Sequence, residues 1–281
     1  MRRLILVAIV TVFLAMPCAS AFAEESDAKE KAENLPWDKG SISLGSFISS
    51  TSSNARLSAN GAGVGIDMEE ALGLDTTTTV VRAGGIWRFS DNRRHRADLT
   101  WFASRRDGST TLGQDITIDG VVYPTGTQVT TGFDLDVYKA TYSYSFFQDD
   151  RMDIGAGLGL YIMPLRFEFS ASGLLTGQVS ESITAPLPVF GLRADFALTP
   201  KWFLKSAMDI FYLEYQQFRG GVYDTSVAVE YKAFKRVGFG LSVENFNLAV
   251  EAEGEDYPGI DFKGKIEYRY LGAMLYARIF F

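Results

Sequence analysis

Residues 265–281 read KIEYRYLGAMLYARIFF, and within them Leu271, Ala273, Leu275, Ala277, Ile279 and Phe281 recur at every second position. A period of two puts these side chains on one face of a strand. Chain ends are usually frayed and polar, so this pattern predicts a pairing partner and a nonpolar medium for the apolar face. Lipid suits that role. At the other end, Arg2 and Arg3 precede an apolar run over 4–15 and then Ala21, Phe22 and Ala23, the pattern of a secretory leader with a small-residue cleavage site. Together the two ends predict export followed by insertion as a closed sheet.

Charge and cysteine usage narrow the classes. The 281-residue chain carries 27 basic and 34 acidic residues, a formal net charge of −7, and loss of a leader with Arg2 and Arg3 makes it more acidic still. Phosphate binding needs clustered Lys and Arg, so this sign argues against nucleic acid. The single cysteine, Cys18, lies in the leader, leaving the remainder without thiol, disulfide or cysteine metal site, as suits an oxidising compartment. A lipoprotein reading of the leader is disfavoured because Pro17 stands where a small residue is needed. Beyond the leader no apolar run is long enough for a transmembrane helix.

The predicted organisation is a signal peptide over 1–23, a periplasmic N-terminal linker over 24–40 and a barrel over 41–281. Residues 24–36 are charged and without period. From Ser41 onward ten segments alternate, at 41–50, 77–89, 96–109, 130–147, 152–169, 182–198, 201–216, 222–234, 237–250 and 265–281. Each is long enough to cross a bilayer as a tilted strand. Tight connections at 90–95, 148–151, 199–200 and 235–236 alternate with longer polar ones at 51–76, 110–129, 170–181, 217–221 and 251–264. Short turns on one side and long loops on the other predict periplasmic turns, external loops and both termini in the periplasm.

The two faces separate cleanly. Val81, Ala83, Gly85, Trp87 and Phe89 oppose Arg82 and Arg88, and Phe190, Leu192, Ala194 and Phe196 oppose Arg193 and Asp195. A soluble sandwich would turn the charges outward. The leader, the terminal strand and aromatics near strand ends favour the inverted arrangement. Those aromatics are Trp87, Phe89, Phe146, Phe147, Trp202, Phe203, Phe211, Tyr212, Tyr231, Phe234, Phe280 and Phe281, suited to two headgroup interfaces. Gly155, Gly157 and Gly159 share the charged face and make room for long side chains.

The terminal strand from Leu271 to Phe281, with Tyr276, Ile279 and Phe281 as its assembly signal, is similar to that of the bacterial outer-membrane β-barrel superfamily. Over 41–281 the chain resembles the small single-chain members of that group. The resemblance implies an all-β fold, a transmembrane antiparallel up-and-down barrel of about ten strands, with eight or twelve as alternatives. It also implies a multi-pass place in the outer membrane of a Gram-negative cell envelope, with lipid, lipopolysaccharide and the barrel-assembly machinery as partners. Members include channels, enzymes and structural barrels, so the resemblance does not choose a function.

Candidate chemistry is sparse. His95, the only histidine, falls in a tight periplasmic turn and reads as a solvated residue. Asp209 and Tyr212 invite comparison with ten-stranded barrel proteases, whose histidine is absent at this position. The candidate lumen charges are Arg82, Arg88, Asp98, Lys139, Arg166, Glu168, Arg193, Asp195, Lys205, Asp209, Glu230, Lys232, Glu244 and Arg278. Their signs nearly balance, which predicts a salt-bridged and largely closed interior rather than a charge-selective pore. Met68, Ala71 and Leu72 at helical spacing, with Gly73 as C-cap, predict a helical turn that folds into the barrel mouth as a plug over 61–75. Asp119-Gly120 between β-branched residues predicts a hairpin that extends the sheet above the membrane. Glu251, Glu253, Glu255, Asp256 and Asp261 form an acidic loop whose spacing matches no defined metal motif. The expected function is a non-catalytic outer-membrane barrel, structural or a narrow porin-like passage for small solutes, without cofactor or metal. A ligand-binding or adhesive barrel and an enzyme acting on lipid or lipopolysaccharide are the alternatives. Nothing in the sequence indicates an oligomeric state.

Overall fold

A computed structural model describes residues 35–57, 66–118, 121–173, 176–215, 218–252 and 264–281. The expected leader, most of the expected linker, the Asp119-Gly120 tip, residues 61–65 of the expected plug and most of the acidic loop lie outside the described residues. The strands are β1 (Gly40–Leu57), β2 (Ile66–Asp67), β3 (Thr77–Arg88), β4 (His95–Thr111), β5 (Ile116–Ile118), β6 (Val121–Tyr123) and β7 (Gln128–Gln148). The rest are β8 (Met152–Ser172), β9 (Gly177–Ala197), β10 (Trp202–Tyr215), β11 (Phe218–Tyr231), β12 (Val237–Ala252) and β13 (Gly264–Phe280), with one short helix, α1 (Met68–Leu72), after β2.

The ten long strands pair antiparallel with their sequence neighbours, and β13 pairs with β1 from Ser41↔Phe280 to Leu57↔Gly264. That last ladder closes the sheet, so no long edge is left unpaired between first and last strands. The terminal strand therefore has its partner in β1.

Alternation decides which way each side chain points. In β13, Leu271, Leu275, Ile279 and Phe281 are exposed, while Tyr268, Tyr270, Met274, Tyr276 and Phe280 are buried. The same outward apolar face continues around the ring through Ile42, Leu44, Val81, Leu99, Leu158, Phe190, Ile210, Val227 and Leu241. From Leu271 to Phe281, at ~3.3 Å per residue and ~45° tilt, this band is ~23 Å tall, close to the ~25 Å apolar belt of a membrane barrel. Rings mark its rim at the end where β1 begins and β13 finishes: Trp87 packs on Phe89, and Trp202 on Tyr231 at 4.8 Å.

Several strands outrun the band. β7, β8 and β9 each span 21 residues, twice what a bilayer needs. Beyond the band the polarity inverts: Arg105, Asp134 and Arg166 face outward, and Phe133, Leu135, Phe167 and Phe169 face inward. The polar sense of the outer surface there is that of a sheet standing in water, with its apolar core inside.

That core is completed by the loops. α1 is capped by the Asp67 carboxylate, which accepts from the Glu70 amide at 2.8 Å, and by Gly73 in the left-handed region at φ 72°. Its Met68 and Leu72, with Leu74 after it, are buried in the cluster that includes Phe102, Phe133 and Tyr268. The β5–β6 hairpin forms a separate two-stranded sheet. Its Ile116, Ile118 and Tyr123 are buried in the same cluster, so the hairpin folds over the mouth rather than extending the barrel wall. Three apolar side chains on one face, unable to stay in water, decide that difference.

Candidate functional site in the barrel lumen

Inside the band the inward positions are charged, and they sort into two tiers around a cavity of about 220 Å³. Near the terminal end, Arg88 donates to Asp153 at 2.9 Å, Arg96 bridges Asp195 at 2.9 Å and Asp98 at 2.5 Å, and Arg193 lies 3.2 Å from Asp153. Arg193 also donates to the Ser143 and Ser145 hydroxyls at 2.7 and 2.6 Å. Across the lumen Glu230 collects Lys205 at 2.9 Å, Arg278 at 3.0 Å and the Tyr276 hydroxyl at 3.0 Å. Small residues accommodate these chains: a Cβ on Gly155 would come 3.1 Å from the Arg193 guanidinium.

The upper tier holds Arg82, Lys139, Asp209, Asp224 and Glu244. Lys139 bridges Asp224 at 2.5 Å and Glu244 at 2.8 Å, while Arg82 and the Tyr270 hydroxyl both bind Glu244. The Tyr161 hydroxyl lies 2.5 Å from Asp209 and 2.9 Å from Asp224. Buried ions survive when paired and hydrogen-bonded, which is the state of most of these groups.

Both ends of this charged chamber are covered. Above it lies an aromatic layer in which Phe47, Phe102 and Phe246 surround Tyr270 at 5.0 to 6.0 Å. Above that, Arg106 fastens α1: its guanidinium donates to Glu69 at 2.5 Å and to Ser53 at 2.9 Å and stacks 4.8 Å from the Phe133 ring. At the terminal end Trp37 is 3% exposed; its indole donates to the Asp149 carbonyl at 2.8 Å and packs against Phe203. Asp38 accepts from Lys232 at 2.7 Å, so the chain entering β1 crosses the mouth from the β7–β8 turn to the β11–β12 turn.

The structure thus gathers Arg82, Arg88, Asp98, Lys139, Arg193, Asp195, Lys205, Asp209, Glu230, Glu244 and Arg278 inside, with Lys232 at the rim. Arg166 and Glu168 are not among them: they are 61% and 60% exposed on the outer face beyond the band. Both share the even parity of Leu158 and Leu160, which are exposed. Tyr276 faces inward to Glu230, on the opposite face from Ile279 and Phe281. Of the strand-end aromatics, Phe203 and Phe280 also turn inward, whereas Trp202 and Phe281 turn out. Tyr212 is 67% exposed while Asp209 lines the cavity, so the two point to opposite faces of β10. His95 lies in the outer aromatic rim, its ring nitrogen 2.7 Å from the Tyr142 hydroxyl. Arg96, Asp153, Asp224, Tyr161 and Tyr270 belong to the network and were not singled out from sequence. Parity alone marks them: Arg96 shares the face of Asp98, and Asp224 that of Glu230.

Among solved structures the chain is similar to the outer membrane protease OmpT from Escherichia coli at a TM-score of 0.54 and 10% identity, covering 86% of this chain and 96% of that one. The chain has the fold of a small outer-membrane β-barrel. It is also similar to Ail, the attachment invasion locus protein of Yersinia pestis (TM-score 0.34, 11% identity, 85% and 98% covered). A third is the Pseudomonas putida toluene transporter TodX (0.35, 8%, 88% and 92%). No family model and no curated protein matches this barrel. At 10% identity the likeness to the protease is one of fold alone.

Proposed function

We propose that this chain is a non-catalytic integral protein of the outer membrane, exported by its leader, that rests closed and serves as a structural barrel or a narrow passage for small solutes. In this orientation Trp37 and the tight turns face the periplasm and α1 faces outside. The observation that carries the reading is the double seal. The α1 plug, pinned by Arg106, and the Trp37 strap enclose a chamber whose ions largely neutralise one another. A pore selective by charge would carry one sign along an arc, and here Arg and Lys interleave with Asp and Glu. The outward place of the only histidine, away from the cavity, supports a reading without His-based proton transfer.

Planar-bilayer conductance of the refolded protein tests it. The wild type is expected to be silent or to open rarely, and replacement of 66–75 by a short glycine–serine linker is expected to give steady current. A wild-type protein with steady conductance overturns the closed state. A linker variant as silent as the parent removes the passage and leaves the structural role.

A further inference from the structure

Most neighbouring strands pair along nearly their full length, and two seams depart from this. Between β3 and β4 the ladder stops at Arg82↔Phe102, and the plug segment takes the gap: Leu74 bridges Gly108, and Arg106 donates to the Asp75 carbonyl at 3.4 Å. Between β9 and β10 the ladder stops at Ile210↔Phe190, although β10 runs on to Tyr215 and β9 to Gly177. Continuing the register would set Tyr212 against Pro188 and Glu214 against Pro186. Proline has no N–H to donate, so these rungs are short of donors. No described strand pairs with β9 beyond Phe190 on this side.

One rung below the parting, Asp209 lies opposite Gly191. A Cβ on Gly191 would come 2.5 Å from the Asp209 Oδ1, so glycine leaves the space that this carboxylate faces. The other oxygen, Oδ2, takes the Tyr161 hydroxyl at 2.5 Å, and the same hydroxyl lies 2.9 Å from Asp224 Oδ2. One hydroxyl carries one proton and donates to one of them. Asp224 is 6% exposed, and its Oδ1 has no hydrogen-bond partner among the described residues. Both carboxylates line the cavity. Lys139 and Arg82 are the cations of this tier against Asp209, Asp224 and Glu244, and neither forms an ion pair with Asp209. Within this tier three carboxylates face two cations, a difference that the tier below offsets, and the tier is short of at least one donor.

We propose that Asp209 and Asp224 bind the ammonium head of an amphiphilic amine that enters sideways through the β9–β10 seam. An ammonium group brings three donors, enough for Asp209 Oδ1 and Asp224 Oδ1, and a positive charge beside the carboxylate that Arg82 and Lys139 leave without an ion pair. Its alkyl chain leaves through the unpaired stretch just beyond Phe190 and Ile210, the last paired rung, whose side chains are 45% and 39% exposed on the lipid face. The cavity of about 220 Å³ takes the head and its first carbons. A simple inorganic cation would satisfy the charge without using the seam. This site goes beyond the closed-barrel reading and does not rest on it, since neither end of the lumen has to open.

The test is calorimetric titration of the folded protein in zwitterionic micelles with n-hexylammonium, methylammonium and n-hexanol. Saturable binding is expected for hexylammonium, with methylammonium and hexanol at least about tenfold weaker. Asp209→Asn and Gly191→Val each weaken hexylammonium by about tenfold or more, and Glu168→Gln on the outer face leaves it unchanged. Gly191→Val retains the carboxylate, so the proposal stays testable if Asp209→Asn fails to fold. Non-saturable hexylammonium uptake, equal affinity for methylammonium, or indifference to both lumen variants overturns the proposal.

Discussion

Arg106→Ala should loosen the plug without breaking the barrel. The Arg106 side chain is fully buried, and it links β4 to α1 through Glu69 and to β1 through Ser53. Removing one partner of a buried ion pair costs ~3–5 kcal/mol because the other charge is stranded. Glu69 keeps two bonds from Ser53, to its amide at 2.8 Å and its hydroxyl at 2.7 Å, which places this case at the lower end. A loss of ~3 kcal/mol raises the open population of the plug ~100-fold, at ~1.4 kcal/mol per tenfold. Limited proteolysis within 66–76 reads that population while opening and closing outpace cleavage. Arg105 beside it is the control: its pair with Asp136 at 2.8 Å is half-exposed, and Arg105→Ala should change the cleavage rate less than about fivefold. An Arg106→Met, Glu69→Met double variant should recover protection, since an apolar pair strands no charge. Arg106→Ala cleaved as slowly as the parent would falsify the idea that this ion pair holds the mouth shut.

Two further outcomes are expected. Glu230→Gln leaves Lys205 and Arg278 facing each other without their shared carboxylate, and should lower the unfolding free energy by ~3 kcal/mol, measured as an earlier urea midpoint in micelles. An unchanged midpoint would show that Glu230 is dispensable to the lower tier. In the outer loop, the Thr125 amide and hydroxyl donate to Asp115 at 2.8 and 2.9 Å, and these bonds hold its carboxyl below the ordinary 3.8. A depressed carboxyl stabilises the loop above its unfolded value and ceases to do so as pH falls through the folded one. Amide-exchange protection around 115–127 should therefore hold from neutrality down to pH 4 and fall below it, and Asp115→Ala should remove that step.

The wall of the barrel could be read from alternation because period two is a property of neighbouring residues. The segment predicted at 96–109 is β4 at His95–Thr111, and 152–169 is β8 at Met152–Ser172. The first strand was predicted to end at residue 50, but β1 continues to Leu57. Residues 51–54, Thr-Ser-Ser-Asn, carry no apolar contrast between faces, since they stand beyond the bilayer. Charge alone points Arg166 and Glu168 inward, whereas their parity points outward. Above the band, water surrounds the sheet and an outward charge costs little.

By itself the sequence determined which residues form strands, which way most of them face in the lipid belt, and that the first and last strands must meet. All of that follows from short-range periodicity and from the cost of unpaired backbone in hydrocarbon. Only the tertiary structure decided what fills the ring: that Glu69 meets Arg106, that Tyr161 reaches both Asp209 and Asp224, and that the β9–β10 ladder stops at Phe190, short of Pro188 and Pro186. Those meetings join residues far apart in sequence, from different strands, and they are set by the registers around a closed sheet. No local pattern in the chain encodes them.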